Sequence, residues 1–182
     1  TSEEACDYLD KLIFDAPELC AFDYETTGLK PYHPNHRVVC ASLAPSDGEA
    51  VAFLFPKETT NKDKSPLNDL WRRFLTESSI GKIASNLKFE HVWSLAKFGV
   101  EPENWQWDTM IASHVLNNRP GITSVKFQAY VLTGLIGYDE DVAPYLKASY
   151  KDESEFGGYA FNQIDKAPVD KLLTYCAIDS LA

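Results

Sequence analysis

Leu19-Cys20-Ala21-Phe22-Asp23-Tyr24-Glu25 decides how this chain is read. It is a short apolar run with two carboxylates at its C-terminal end. Side chains on a β-strand alternate between faces with period two, so Asp23 and Glu25 project from the same face. Acidic residues are disfavoured inside strands, and a pair set side by side between Phe22 and Tyr24 repels unless a cation compensates it. The stretch reads as a strand whose C-terminal edge carries a site, as such edges do in sheets flanked by helices.

Elements on either side complete the pattern. Thr1 with Glu4 reads as a capping box ahead of Ala5, Tyr8, Leu9, Leu12 and Ile13, an amphipathic helical stripe. Arg37 to Ala44 and Glu49 to Phe55 are β-rich runs separated by the turn signal Pro45-Ser46-Asp47-Gly48, which predicts an antiparallel hairpin. Ser65 as N-cap and Pro66 as first helical residue introduce Leu67, Leu70, Trp71, Phe74 and Leu75. Ile80 to Ser85 predicts a fourth strand, followed by a helix capped at Asn86, with Phe89, Val92, Trp93 and Ala96 inward and Gly99 as its stop. Trp105 to Trp107 predicts a fifth strand, with Asp108 as N-cap of a helix through Asn117. Arg119-Pro120-Gly121 separates that helix from another beginning at about Thr123. Residues 134 to 163 are the least regular. Pro168 then opens a helix carrying Val169, Leu172, Leu173, Cys176 and Leu181, still running at Ala182, as expected of a piece cut from a longer polypeptide. The order predicts an α/β domain with a mixed sheet and helices on its faces.

Composition narrows the function. The 182 residues are one domain's length, and 45% of them are hydrophobic, enough for a packed core. With 27 acidic against 17 basic residues the net charge is −10, which excludes a protein that grips nucleic acid or anionic lipid by bulk attraction. Cys6, Cys20, Cys40 and Cys176 show no metal spacing and are expected as buried thiols. The longest apolar run, Ala50 to Phe55, is far short of the ~20 residues that span a bilayer, so a soluble protein without a membrane partner is expected.

Further acids join the first pair. Tyr175 and Asp179 are four apart and so stack on one face of the last helix, off the stripe of Val169, Leu173 and Cys176. Tyr-x-x-x-Asp alone carries little information. Asn86 at a helix start, followed by Lys88, Phe89 and Glu90, sets another acid near the mouth of the fourth strand. Separate acidic strand and helix ends that converge make an oxygen-ligand site for Mg²⁺ or Mn²⁺.

In order and spacing, Phe22-Asp-Tyr-Glu-Thr-Thr-Gly-Leu29, Asn86-Leu-Lys-Phe-Glu90 and Tyr175-Cys-Ala-Ile-Asp179 resemble the three motifs of DEDD-type 3′→5′ exonucleases. Thr174 and Tyr175 place the last motif in the tyrosine branch of that group. Asp108-Thr-Met-Ile, His114-Val-Leu-Asn and Phe161-Asn-Gln-Ile resemble the proofreading domain of family A DNA polymerases, so the resemblance covers nearly the whole chain. It implies the ribonuclease H-like fold, a five-stranded mixed sheet with one antiparallel strand.

The resemblance also implies roles. Asp23, Glu25 and Asp179 would hold one divalent ion that activates water, and Asp23 would bridge to a second at the leaving 3′ oxygen, the two-metal arrangement with Mg²⁺ or Mn²⁺. Glu90 stands where the family has aspartate, and would reach the second ion through water. A free tyrosine has a pKa of ~10, so Tyr175 is expected to orient water and not to act as base. Leu29 would wedge against the terminal base, and Asn86 would bond the last nucleotide. Ser85 stands where glutamine is common, and Tyr138 is either a base-stacking aromatic or a structural tyrosine. Asp108 is expected as a cap, and His33, His36, His91 and His114 as surface or core residues.

The chain is therefore expected to be a single exonuclease domain over residues 1–182, excised from a larger polymerase whose C-terminal polymerase domain is its partner. It would hydrolyse single-stranded DNA 3′ ends to nucleoside 5′-monophosphates during replication, in the cytoplasm of a bacterium or a phage-infected host. Two alternatives are an RNase D-type RNA 3′-trimming exonuclease and a non-catalytic strand-end binding module with a site weakened at Glu90.

Overall fold

The computed structural model describes every residue except Asp47 and Asn61. Helix α1 (Ser2–Asp15) begins with the expected capping box, in which Thr1 Oγ1 accepts from the Glu4 amide at 3.3 Å and the Glu4 carboxylate accepts from the Thr1 amine. Ala5, Leu9, Leu12 and Ile13 of its stripe are buried and Tyr8 is half-buried. Strand β1 (Leu19–Thr26) follows, then β2 (Val38–Ser46) and β3 (Glu49–Leu54), paired antiparallel as predicted. Of the turn signal between them, Asp47 lies outside the described residues. Next come α2 (Pro66–Thr76), β4 (Gly81–Ala84), α3 (Leu87–Phe98), β5 (Trp105–Asp108), α4 (Thr109–Leu116), α5 (Val125–Thr133), the short α6 (Tyr150–Phe156) and α7 (Val169–Leu181).

The sheet has five strands in the order β3-β2-β1-β4-β5. β2 runs antiparallel to both neighbours, while β1, β4 and β5 pair in parallel, so one strand is reversed, as expected. The two faces of β1 have different tasks. Phe22 and Tyr24, 1% and 3% exposed, point into an aromatic core with Trp71, Phe74 and Phe98. The Tyr24 hydroxyl is satisfied there, accepting from Trp71 Nε1 at 2.8 Å and bonding Ser94 Oγ at 2.9 Å. Asp23 and Glu25 point to the opposite face, across which α7 packs against β1, β2 and β3.

Two helices present different faces from those expected. On α3 the buried residues are Glu90, Trp93, Ser94 and Phe98, whereas Phe89, Val92 and Ala96 are half-buried. The bond from Ser94 to Tyr24 turns a partly polar face inward. The cap also differs. Asn86 is left-handed, with φ 63°, and its side chain makes no capping bond. Asp108 instead accepts from the Asn86 and Leu87 amides at 3.1 and 2.9 Å, and also from the Ile111 amide at 3.0 Å, so this one carboxylate caps both α3 and α4.

On α7 the buried residues are Leu172, Tyr175, Cys176 and Ser180, and Val169 and Leu181 are exposed. Tyr175, expected off the packed stripe, is 6% exposed. Ser42 on β2 is the reason, because its hydroxyl donates to the Cys176 carbonyl at 2.6 Å and bonds the Ser180 hydroxyl, drawing that face onto the sheet. Cys20, Cys40 and Cys176 are buried as expected, but Cys6 is only half-buried. No helix among the described residues is long and apolar enough to cross a membrane.

Candidate active site

Sheet register builds the site. Asp23 lies opposite Ser42 on β2 and Glu25 opposite Cys40. Ser42 anchors α7 through Cys176 and Ser180, which brings Asp179 over β1 beside the strand's two acids. One carboxylate oxygen from each of Asp23, Glu25 and Asp179 lies within 4.8 Å of the other two, the one such group of potential metal ligands found among the described residues.

Burial pushes the pKa of all three carboxyls up, and repulsion adds to it, Asp179 acting on Asp23 and Asp23 on Glu25. Three hard oxygen donors that repel one another at this distance are the donor set of a divalent cation such as Mg²⁺ or Mn²⁺, and the residues fit that group.

Glu90 stands outside this triplet. It lies in the first turn of α3, 1% exposed, and Oε2 has no hydrogen-bond partner among the described residues. Burial raises its pKa, and Asp23 and then Asp108 raise it further, so it is electrostatically coupled to the site without converging on it. Glu90 shares the buried face of α3 with Ser94, one turn further along, which bonds Tyr24.

The tyrosines meet over the third carboxylate. The Tyr138 hydroxyl donates to Asp179 Oδ1, and the Tyr138 and Tyr175 rings stack with centroids 5.9 Å apart. Tyr138 is thus tied to a site carboxylate and to a neighbouring ring, and not held out as a free stacking surface. Burial, then Glu25 and Asp179, hold the Tyr175 phenol well above its usual pKa, so it stays protonated and can donate. Burial raises Tyr138 likewise, with Asp179 next.

Lys126 was missed by the motifs. Its Nζ lies 2.7 Å from Asp139 Oδ2 and 5.2 Å from the centre of the Tyr175 ring. The available signal was a lysine two residues past the Ser124 cap, where the helix dipole disfavours a cation.

The turn after β1 holds Leu29, 71% exposed. A Cβ on Gly28 would lie 2.2 Å from His36 Cε1, so only glycine leaves room for the imidazole beneath. His36 is 1% exposed, bonded to Thr27 Oγ1 at 3.3 Å and to the Tyr159 carbonyl at 3.2 Å, with its ring 4.1 Å from that of Phe161. Asn162 completes the clamp, donating from Nδ2 to the Thr26 carbonyl at 2.8 Å and from its amide to the Thr27 carbonyl at 3.1 Å. The Phe161-Asn162 segment therefore fixes the turn that presents Leu29. Ser85 and Asn86 are half-buried, and Ser85 lines with Asp23 and Asp179 a cleft of about 420 Å³ whose apolar wall includes Trp107, Leu116 and Leu132.

Over residues 1–182 the chain matches the profile of a family described as 3′–5′ exonuclease. No curated protein sequence matches it. Among solved structures it is similar to Brucella melitensis NrnC, with a TM-score of 0.64 and 21% identity, covering 90% of this chain and 67% of that one. NrnC has also been solved with bound Mg²⁺ and bound to pGG. Trypanosoma brucei RNase D, in a GMP complex, gives a TM-score of 0.65 at 17% identity, covering 99% of this chain and 52% of that one. Escherichia coli RNase D, described as an exoribonuclease involved in structured RNA processing, gives 0.54 at 17% identity, covering 93% and 43%. The shared feature is the fold, the five-stranded ribonuclease H-like sheet.

Proposed function

The chain belongs to the 3′–5′ exonuclease family, and on that premise we propose that it removes nucleotides from single-stranded DNA 3′ ends as 5′-monophosphates, as the proofreading domain of a family A polymerase polypeptide. The observation that carries the reaction is the convergence of Asp23, Glu25 and Asp179 within 4.8 Å at the end of β1. These three residues would hold a divalent cation, and Glu90, buried nearby, would be the acid available to a second. Divalent ions at such a site supply Lewis-acid stabilisation of the charge that develops on the phosphate.

The remaining roles belong to the chain's own groups. Tyr175, kept protonated, orients the attacking water by hydrogen bonding, and Tyr138 holds the Asp179 carboxylate in place. Leu29, exposed on a clamped turn, packs against the terminal base. Asn86, whose side chain is not used in capping, bonds the last nucleotide, and Ser85 gives a shorter polar contact beside it. The polymerase context rests on Asp108-Thr-Met-Ile and Phe161-Asn-Gln-Ile, the latter now with a task in clamping the turn after β1.

A second reading, trimming of RNA 3′ ends, is favoured by the likeness to two proteins named RNase D. Competition between DNA and RNA strands of one sequence decides between them. Preference for DNA by an order of magnitude supports proofreading, and preference for RNA makes the chain an RNA-trimming enzyme. Strand-end binding with no turnover on either substrate would instead support a site weakened at Glu90.

A further inference from the structure

We propose that Lys126 contacts a phosphate of the nucleic-acid strand beside the acidic triplet. The inference rests on the exonuclease reading and extends it to a residue that none of the three motifs contains. Lys126 is the second residue of α5, whose first turn has no acid, so its charge faces the positive end of the helix dipole and disfavours the helix. Its ammonium is held instead by Asp139 at 2.7 Å, with the Tyr175 ring centre 5.2 Å away. Asp139 directly follows Tyr138, whose hydroxyl holds Asp179. Two consecutive residues therefore grip the third carboxylate and the lysine, fixing a cation at the rim of the triplet.

The charge is felt there, because Lys126 draws the pKa of both Glu25 and Asp179 downward against the effect of burial. Its side chain is 40% exposed, and an ammonium has three donors, of which Asp139 takes one. A phosphate oxygen can accept from the rest. In a chain of net charge −10, a fixed cation next to three carboxylates supplies local attraction for a strand that the surface otherwise repels.

The test uses a single-stranded oligonucleotide whose 3′-terminal phosphorothioate linkage resists cleavage, titrated in Mg²⁺ buffer over a range of salt, with kcat and KM measured on the ordinary strand. Lys126→Gln keeps a hydrogen bond to Asp139 and so preserves the packing. It should raise Kd and KM by about ten-fold, lower the slope of log affinity against log salt by about one, and change kcat by less than about three-fold. Lys126→Arg should restore both affinity and slope. Asp139→Asn, which removes the partner's charge but keeps an amide oxygen able to accept from Lys126, should change binding by less than about three-fold. Unchanged affinity and slope in Lys126→Gln, or equal losses in Lys126→Gln and Asp139→Asn, would overturn the phosphate contact while the wild type still shortens the strand. A wild type that shortens no strand overturns the exonuclease reading itself, and this inference with it.

Discussion

The hydroxyl of Tyr138 donates to Asp179 Oδ1, linking the irregular segment before α6 to the carboxylate that closes the acidic triplet. That bond restrains the direction in which the Asp179 carboxylate points. Tyr138→Phe keeps the ring stacked on Tyr175 and removes only the donor. A hydrogen bond to a charged group contributes about 1.5–3 kcal/mol, so turnover on single-stranded DNA should fall about ten-fold or more. The melting temperature should move by no more than a few degrees. Unchanged turnover would mean that Asp179 is positioned by α7 alone.

The triplet should make stability depend on pH in a way that divalent ions cancel. The folded-state pKa values of Asp23, Glu25 and Asp179 are raised, first by burial. Below the unfolded value of about 4 both states are protonated. Above it the folded chain binds more protons than the unfolded one, so stability falls as pH rises through the folded pKa values. In chelator the melting temperature should therefore fall as the pH rises above the unfolded value of about 4. Mg²⁺ or Mn²⁺ should suppress the drop, by about 2.7 kcal/mol at a hundred times Kd. Asp23→Asn should melt higher than the wild type in chelator at pH 8 and lose the metal response. Calorimetric scans check both, and a metal response that survives in Asp23→Asn would remove Asp23 from the ligand set.

Much of this arrangement was legible because it follows from local rules. The capping box at Thr1 and Glu4, the β2–β3 hairpin and the shared face of Asp23 and Glu25 each depend on residues a few positions apart. The features that were not legible depend on distant partners. Asp108 caps α3 from β5, Ser42 buries Tyr175 by holding α7, and His36 is packed by Phe161. Glu90 lies on the same buried face of α3 as Ser94, which bonds Tyr24 on β1. No spacing within one segment encodes these contacts.

Glu90 should matter less to turnover than the triplet does. Its buried Oε2 has no partner among the described residues, and an unsatisfied buried polar group costs about 1–3 kcal/mol. Glu90→Gln removes the charge at constant shape and should raise the melting temperature in chelator. Turnover should fall about ten- to a hundred-fold, against a thousand-fold or more for Asp23→Ala. Equal losses in the two variants would show that Glu90 binds a cation directly.

The turn carrying Leu29 should be intolerant of one methyl group. A Cβ on Gly28 would stand 2.2 Å from His36 Cε1, and overpacking of this kind costs about 1–3 kcal/mol. Gly28→Ala should lower stability by that amount and weaken strand binding by displacing Leu29. In the Gly28→Ala/His36→Ala double variant the loss should be smaller than the sum of the two single losses, as expected for residues in contact. Additive losses in denaturant titrations would place the strain elsewhere.

The most direct measurement is the digestion of 5′-end-labelled single-stranded DNA by the wild type and by Asp23→Ala, in Mg²⁺ or Mn²⁺ and in chelator. The wild type with metal should give a ladder shortening from the 3′ end, with 5′-monophosphates released. Chelator or Asp23→Ala should abolish it. No ladder from the wild type on either DNA or RNA, or the same ladder from Asp23→Ala, would contradict the assignment of this acidic triplet as a 3′→5′ exonuclease site.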